Sequence, residues 1–275
     1  METLYLTDLD GTLLDSRGRL SDFSARALRI LYEAGVAVSV ATGRSWSALD
    51  VLEGAPFRAP MILLGGARIY DDTSRAILRE HVLPPERVMA VLEVLRGAGL
   101  WAMMYTQDAQ DVQRVYYEHD APEQMLDYVA RQRAQGDDRF CAVDRLEEKL
   151  DEKVFYLTAR GERSFLQPLV ERMRAPDAYT YLYYGVREKG GCFVEICPVS
   201  KRVGVEELRR LTGARRIVAF GDNGNDEGLF EGADVRIAVE NATTGLLSMA
   251  HRVIGPHDQD AVVREIARME GVTLE

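Results

Sequence analysis

The chain has 275 residues, 34 of them basic and 44 acidic, for a formal charge of −10, with 47% apolar and 28% charged side chains. That length supplies one large domain or two modest ones, with cores big enough to need no disulfide or metal staple, and the composition excludes a disordered chain. The acidic excess excludes a strongly basic face for phosphate backbones, and charges break every apolar run short of a membrane-spanning length, so neither a nucleic-acid nor a membrane partner is expected. Cys141, Cys192 and Cys197 are an odd number without a C-x-x-C pair, which argues against a disulfide framework or a zinc ribbon. With no basic stretch behind Met1-Glu2-Thr3, a soluble cytoplasmic protein is expected, and composition leaves its oligomeric state undefined.

Leu4-Tyr5-Leu6 is a short apolar run ending in a polar turn, which predicts a buried strand. Ser21 reads as the N-cap of a helix in which Phe23, Ala27, Ile30, Leu31 and Ala34 recur at helical spacing, with Gly35 as its stop. Val36 to Ala41 predicts a second strand ending at Thr42-Gly43-Arg44, followed by another helix and then a strand at Met61 to Leu64. Strand–helix–strand repetition with short connections implies a parallel sheet with helices on both faces. From Pro84-Pro85 the pattern changes. A helix carrying Val88, Val91, Leu92 and Leu95 precedes aromatic-rich strands at Trp101 to Tyr105, Val154 to Leu157 and Tyr179 to Tyr184, with amphipathic helices near Met125 to Val129 and Phe165 to Val170. The alternation then resumes, with a helix at Val205 to Leu211 stopped by Gly213, strands at Ile217 to Phe220 and Val235 to Val239, and helices around Thr243 to Ala250 and Gln259 to Arg268. The predicted fold is α/β, a Rossmann-like, doubly wound parallel-sheet core from residues 1–83 and 191–275, with residues 84–190 inserted as an α+β module.

In such sheets ligands bind beyond the carboxyl ends of the strands. Asp8, Asp10, Gly11 and Thr12 follow the first strand; Thr42, Gly43 and Arg44 the second; and Gly221-Asp222-Asn223-Gly224-Asn225-Asp226 the strand at Ile217. Three strand ends thus deliver four carboxylates to one rim. Residues two apart in an extended chain point to the same side, so Asp8 and Asp10 face one site. Carboxylates at close range need a cation, and hard oxygen donors of this kind suit Mg²⁺, which shares its shell with substrate phosphate. A phosphate dianion about 4 Å from one carboxylate costs roughly 8 kcal/mol at an effective dielectric of 20. A carboxylate can attack such an anion only beside a divalent ion and a positioned cation, for which Arg44 and Lys201 are both candidates.

Asp8-Leu9-Asp10-Gly11-Thr12-Leu13-Leu14 resembles the first motif of the haloacid dehalogenase superfamily of phosphohydrolases. Thr42-Gly43-Arg44 resembles the second motif, Ser200-Lys201 the third, and Gly221 to Asp226 the fourth, of the form G-D-x-x-N-D. The order and spacing, with the insertion between the second and third, resemble the Cof-like sugar-phosphatase branch, whose members carry a type IIB α/β cap. The resemblance runs from Thr7 to Val263. There are departures. Leu64-Gly65-Gly66-Ala67 stands where relatives commonly carry Asn-Gly-Ala, Arg202 where glycine often follows the lysine, and Asp260-Ala261 where Asp-Gly is frequent; the stretch from Glu195 to Lys201 is shorter than usual.

The resemblance implies a Mg²⁺-dependent phosphatase acting on a small phosphorylated metabolite, a sugar phosphate or a similar phosphate monoester. Asp8 would be the nucleophile that forms an aspartyl-phosphate, and Asp10 the general acid and then base. The metal would be held by the Asp8 carboxylate, the Asp10 main-chain carbonyl and Asp222, with Asp226 in support. Leu9 and Gly43 main-chain N–H groups, the Thr42 hydroxyl, Lys201 and Asn225 would hold the phosphoryl oxygens. The family pattern chooses Lys201 over Arg44, and the cap would close over the site. A phosphomutase-like transfer and a non-catalytic phosphometabolite-binding module are the alternatives. The tyrosines Tyr105, Tyr116 and Tyr117 and the run from Tyr181 to Tyr184 read mostly as sheet core. His81, His119, His251 and His257 have no metal-ligand spacing and no assigned role.

Overall fold

The computed structural model describes residues 1–110, 112–134, 136–176, 178–184 and 192–274. The chain divides into two compact units, Met1–Glu80 with Val199–Glu275, and His81–Pro198. Sequence alternation puts the junctions after residues 83 and 190; residue 190 lies outside the described residues.

In chain order, the first unit begins with β1 (Thr3–Thr7), α1 (Asp22–Glu33) and β2 (Ala37–Val40), then β3 (Met61–Leu63), β4 (Arg68–Asp71) and β5 (Ala76–Glu80). The second unit holds α2 (Pro85–Gly97), β6 (Met103–Gln107), β7 (Gln113–Glu118), α3 (Glu123–Ala134), β8 (Phe140–Val143), β9 (Lys153–Gly161), α4 (Arg163–Met173), β10 (Tyr179–Tyr184) and β11 (Cys192–Cys197). The first unit resumes with α5 (Lys201–Thr212), β12 (Arg216–Gly221), α6 (Glu227–Gly232), β13 (Val235–Val239), α7 (Thr244–Met249), β14 (Arg252–Ile254) and α8 (Ala261–Glu270).

Among the described residues, the main sheet of the first unit runs β14-β13-β12-β1-β2, every pair parallel. Such a sheet must be covered on both faces, and its central strands are buried accordingly: Leu4, Leu6, Ile217, Val218, Ala219 and Phe220 have no exposure. Ser21 caps α1, its hydroxyl accepting from Ser24 N at 2.9 Å, and Gly213 ends α5 in the left-handed region at φ 65°. Asp260, which precedes the departure at Ala261, accepts from the Ser24 hydroxyl at 2.8 Å and from the Ser21 hydroxyl, so its carboxylate ties α8 to the start of α1.

Three local expectations are corrected. The helix expected between Gly43 and Met61 is replaced by two short turns, Trp46–Ala48 and Asp50–Leu52. Gly54, at φ 79°, and Pro56 and Pro60 break the segment before a helix can form. The strand at Met61 does not join the main ladder beyond one bridge, Ala41 to Ile62; β3 pairs antiparallel with β4, and β4 with β5. The β4–β5 hairpin, unassigned from sequence, turns at Asp71, whose carboxylate accepts from Thr73 N, Ser74 N and the Ser74 hydroxyl. Lastly, β11 belongs to the second unit, whose sheet runs β10-β11-β9-β6-β7-β8.

In that unit α2 and α4 pack on one face through Val88, Val91, Leu95, Leu166 and Leu169, against Leu157, Val194 and Ile196. Tyr116, Tyr117 and Tyr181 are buried as expected, Tyr105 is half-buried and stacked on Tyr156, and the side chains of Tyr183 and Tyr184 lie outside the described ones. Among the described residues no helix is long and apolar enough to cross a membrane.

Candidate active site

The carboxyl end of β1 carries the first motif into a tight turn. Asp8 N donates to Phe220 O at 3.0 Å, extending the β1–β12 register by one residue, so Asp8 leaves the sheet alongside the end of β12. The turn closes through Leu14 N to Leu9 O at 2.9 Å, and Gly11 sits in the left-handed region at φ 82°. A Cβ on Gly11 would lie 2.5 Å from Asp222 Oδ2, so only glycine lets the turn approach that carboxylate. Thr12, on the same turn, donates from its hydroxyl to Asp222 Oδ1 at 3.0 Å.

Beyond β12 the fourth motif folds around Asp226. Its Oδ2 accepts from Asp222 N at 3.0 Å and Asn223 N at 3.2 Å. A Cβ on Gly221 would lie 2.8 Å from the Asp226 carboxylate carbon, which makes glycine necessary there as well. Lys201 opens α5 and points inward with 1% exposure. Its Nζ donates to Asp8 Oδ1 and Asp226 Oδ1, both at 2.6 Å. Gly66, the glycine that this stretch shares with the Asn-Gly-Ala pattern, is required here: at φ 110°, a Cβ would lie 2.4 Å from Ser200 O, so glycine makes room for the main chain that presents Lys201.

Asp8, Asp222 and Asp226 each offer a carboxylate oxygen within 4.8 Å of the others, all buried, with one ammonium among them. Burial, then the Asp226 carboxylate, push the Asp8 carboxyl up to about 7 against the pull of Lys201. Burial, then Asp226 and Asp8, hold the Asp222 carboxyl well above the usual range. Burial pulls the Lys201 ammonium down, but Asp226 and Asp8 outweigh it and raise it. Three buried carboxylates against one ammonium leave an excess of negative charge that a hard divalent cation offsets, so the donor set fits such an ion.

Asp10 stands apart from this group, its side chain 40% exposed. Arg44 donates to both of its carboxylate oxygens, Nε to Oδ2 and Nη2 to Oδ1, each at 2.7 Å, and to Ala48 O through Nη1 at 3.2 Å. The two candidate cations are thereby sorted by geometry: Lys201 enters the buried carboxylates and Arg44 takes Asp10. Thr42 is buried at the end of β2, its hydroxyl accepting from Arg44 N at 3.1 Å. Leu9 is buried in the turn, while Gly43 and Asn225 are half-buried on the loops beyond β2 and β12, the strands that flank β1.

Two residues without an assigned role also belong here. Asn241, past the end of β13, donates from Nδ2 to Gly11 O at 2.8 Å and accepts from His257 N at 3.0 Å. His257 meets Leu14 O through Nδ1 at 2.7 Å. Asn241 was within reach of the strand-end rule, since it follows β13 as Asp222 follows β12. Nothing in the sequence singles out His257.

Residues 5–266 match the haloacid dehalogenase-like hydrolase family. Pyridoxal phosphate phosphatase YbhA of Escherichia coli is 26% identical over 277 residues, with 94% of this chain and 95% of that protein covered. Among solved structures, a phosphatase of the haloalkanoate enzyme superfamily, BT1666 from Bacteroides thetaiotaomicron, superimposes with a TM-score of 0.79 at 20% identity over 99% of this chain and 96% of the other. The subclass IIB sugar phosphatase BT4131 also gives 0.79, at 19% identity over 99% of this chain and all of the other, 100%.

Proposed function

The chain belongs to the haloacid dehalogenase-like hydrolases and is a phosphatase of that family, and on that premise we propose that it hydrolyses small phosphate monoesters, sugar phosphates or similar phosphometabolites, with Mg²⁺ as cofactor. The observation that carries the reading is the buried set of Asp8, Asp222 and Asp226 around the Lys201 ammonium. Hydrolases of this family generally use a metal ion, and this donor set is all oxygen, which suits Mg²⁺ over softer ions. Asp8, the Asp10 main-chain carbonyl and Asp222 would hold it, with Asp226 in support. Bound there, it supplies Lewis-acid polarisation of the phosphoryl oxygens.

The chain's own residues then divide the work. Asp8 attacks phosphorus as the bond to the leaving alcohol breaks, and Asp10 gives that alcohol its proton, leaving an aspartyl-phosphate. Asp10 next takes a proton from water as the water oxygen attacks phosphorus, which releases inorganic phosphate and restores Asp8. Lys201 offsets the charge that gathers on Asp8 and the phosphoryl group. Thr42 accepts from Arg44 N through its hydroxyl oxygen, which keeps its own proton for a phosphoryl oxygen; Asn225 and the N–H groups of Leu9 and Gly43 complete the cradle. The inserted unit, the cap of the proposal, selects the leaving alcohol. YbhA's name supports a phosphorylated heterocycle among the compounds to try and BT4131's supports sugar phosphates.

The test is inorganic phosphate release from a panel of phosphorylated metabolites and an aryl phosphate, by wild type and Asp8→Asn, with Mg²⁺ and with chelator. Release that needs both Asp8 and Mg²⁺ is the expected result. Isomerised product without net phosphate would identify a mutase. No turnover of any compound by folded protein would favour a binding module.

A further inference from the structure

The turn that carries Asp8 comes from β1, and Asp222 from β12, yet one loop grips both. Past β13, Asn241 Nδ2 donates to Gly11 O at 2.8 Å, and two residues later Thr243 N donates to Asp222 O at 2.8 Å. Asn241 Oδ1 is itself held by His257 N at 3.0 Å. Because a carbonyl only accepts, the 2.7 Å contact of His257 Nδ1 with Leu14 O puts the hydrogen on Nδ1, and the ring pins the far end of the same turn. Gly11, at φ 82°, is the residue of that turn in the left-handed region, and Asn241 takes hold of it at its carbonyl.

We propose that Asn241 is a positioning residue that sets the affinity of the site for its divalent cation, by fixing the Asp8 turn relative to Asp222. The inference rests on the phosphatase reading above. A hard ion such as Mg²⁺ demands near-ideal octahedral ligands, so ligands drawn from two strand ends must be held to within tenths of an ångström. Removing hydrogen-bond partners behind metal ligands typically weakens binding 10–100-fold. Asn241 touches neither substrate nor the reacting atoms. Its effect passes through Gly11, one residue beyond the Asp10 carbonyl, while Thr243 on the same loop fixes the main chain of Asp222.

Calorimetric titration of Mg²⁺ into metal-free, full-length protein tests this without recourse to turnover. Asn241→Ala should weaken Mg²⁺ about tenfold. Tyr5→Phe, which gives up a remote hydroxyl bond to Glu270, should leave the affinity within twofold, with melting in chelator recorded for both. Asn241→Ser, still able to donate, should fall between wild type and alanine, and it carries the test if the alanine variant does not fold. Affinity within twofold of wild type in the Asn241 variants would overturn the proposal. So would equal weakening in Tyr5→Phe, which would mark general loosening. A wild type that takes up no Mg²⁺ would overturn the metal reading and this proposal with it, whereas a wild type that binds Mg²⁺ with variants that bind as well sinks the proposal alone.

Discussion

Replacing Lys201 with methionine removes one charge and little volume from the centre of the site. In the native chain its ammonium lies 2.6 Å from Asp8 Oδ1 and 2.6 Å from Asp226 Oδ1. At an effective dielectric of 20, each contact is worth about 6 kcal/mol of gross attraction. Most of that repays the removal of the ions from water, and stripping one partner from a buried ion pair has a net cost of about 3–5 kcal/mol. At roughly 3 °C per kcal/mol for a unit of this size, Lys201→Met should melt roughly 9–15 °C below wild type in chelator at pH 8. The deficit should shrink at pH 5, where the crowded carboxylates take up protons, and Mg²⁺ should recover part of it at pH 8. Thermal unfolding followed by circular dichroism reads all three. A deficit under about 3 °C in chelator at pH 8 would refute the claim that Lys201 neutralises a buried acidic cluster.

The remaining predictions concern its neighbours. With Asp8 raised to about 7, the folded metal-free protein holds a proton there that the unfolded chain releases near 4, so this group's contribution to stability falls as pH rises from about 4 to about 7. Urea unfolding of Asp8→Asn against wild type in chelator should therefore show the variant gaining relative stability over that interval, and a flat difference would contradict the assignment. Arg44→Ala frees both oxygens of Asp10 and should lower kcat roughly 10–100-fold for alkyl phosphates. Aryl phosphates, whose leaving groups need little protonation, should lose much less, and steady-state kinetics on the two classes would expose equal losses. Gly11→Ala forces a Cβ to within 2.5 Å of Asp222 Oδ2 at φ 82°, so it should destabilise by about 1–3 kcal/mol in urea unfolding and weaken Mg²⁺ binding.

What could be read from the chain alone was whatever depends on local pattern and on charge. The strand-end rule places Asp8, Thr42 and Asp222 on three adjacent strands because their apolar runs are unambiguous, and repulsion among carboxylates then calls for a cation. The same arithmetic leaves Arg44 and Lys201 level, since the choice depends on side-chain reach: Arg44 binds Asp10 from 34 residues away and Lys201 binds Asp8 from 193. Both cations are used, for different carboxylates. The β4–β5 hairpin escapes because β5 is never fully buried and its inward face offers only Ala76 and Leu78, too few apolar residues for periodicity to detect. Sequence alternation assigns Cys192 to Cys197 to the core with the rest of residues 191–275, and only the antiparallel partners β9 and β10 place it in the other sheet. Asn241 escapes as a site residue because its contribution is one amide hydrogen given to a main-chain carbonyl 230 residues earlier.

The discontinuous make-up of the first unit also sets a timetable for its assembly. Strand β1 is interior, flanked by the edge strand β2 on one side and β12 on the other, yet Asp8 and Lys201 are 193 residues apart. At roughly 5–20 residues per second of translation, that gap lasts roughly 10–40 s. For that interval the growing polypeptide presents an apolar strand with one edge unpaired, and an Asp8 carboxylate still without the Lys201 ammonium. The contiguous stretch His81–Pro198 leaves the ribosome whole in the meantime and can close on its own short-range pairings, whereas β1 must wait for a partner with a long loop already made. Nascent chains stalled before Arg216 should therefore carry a folded insert beside an exposed β1 edge, which is where a chaperone would bind.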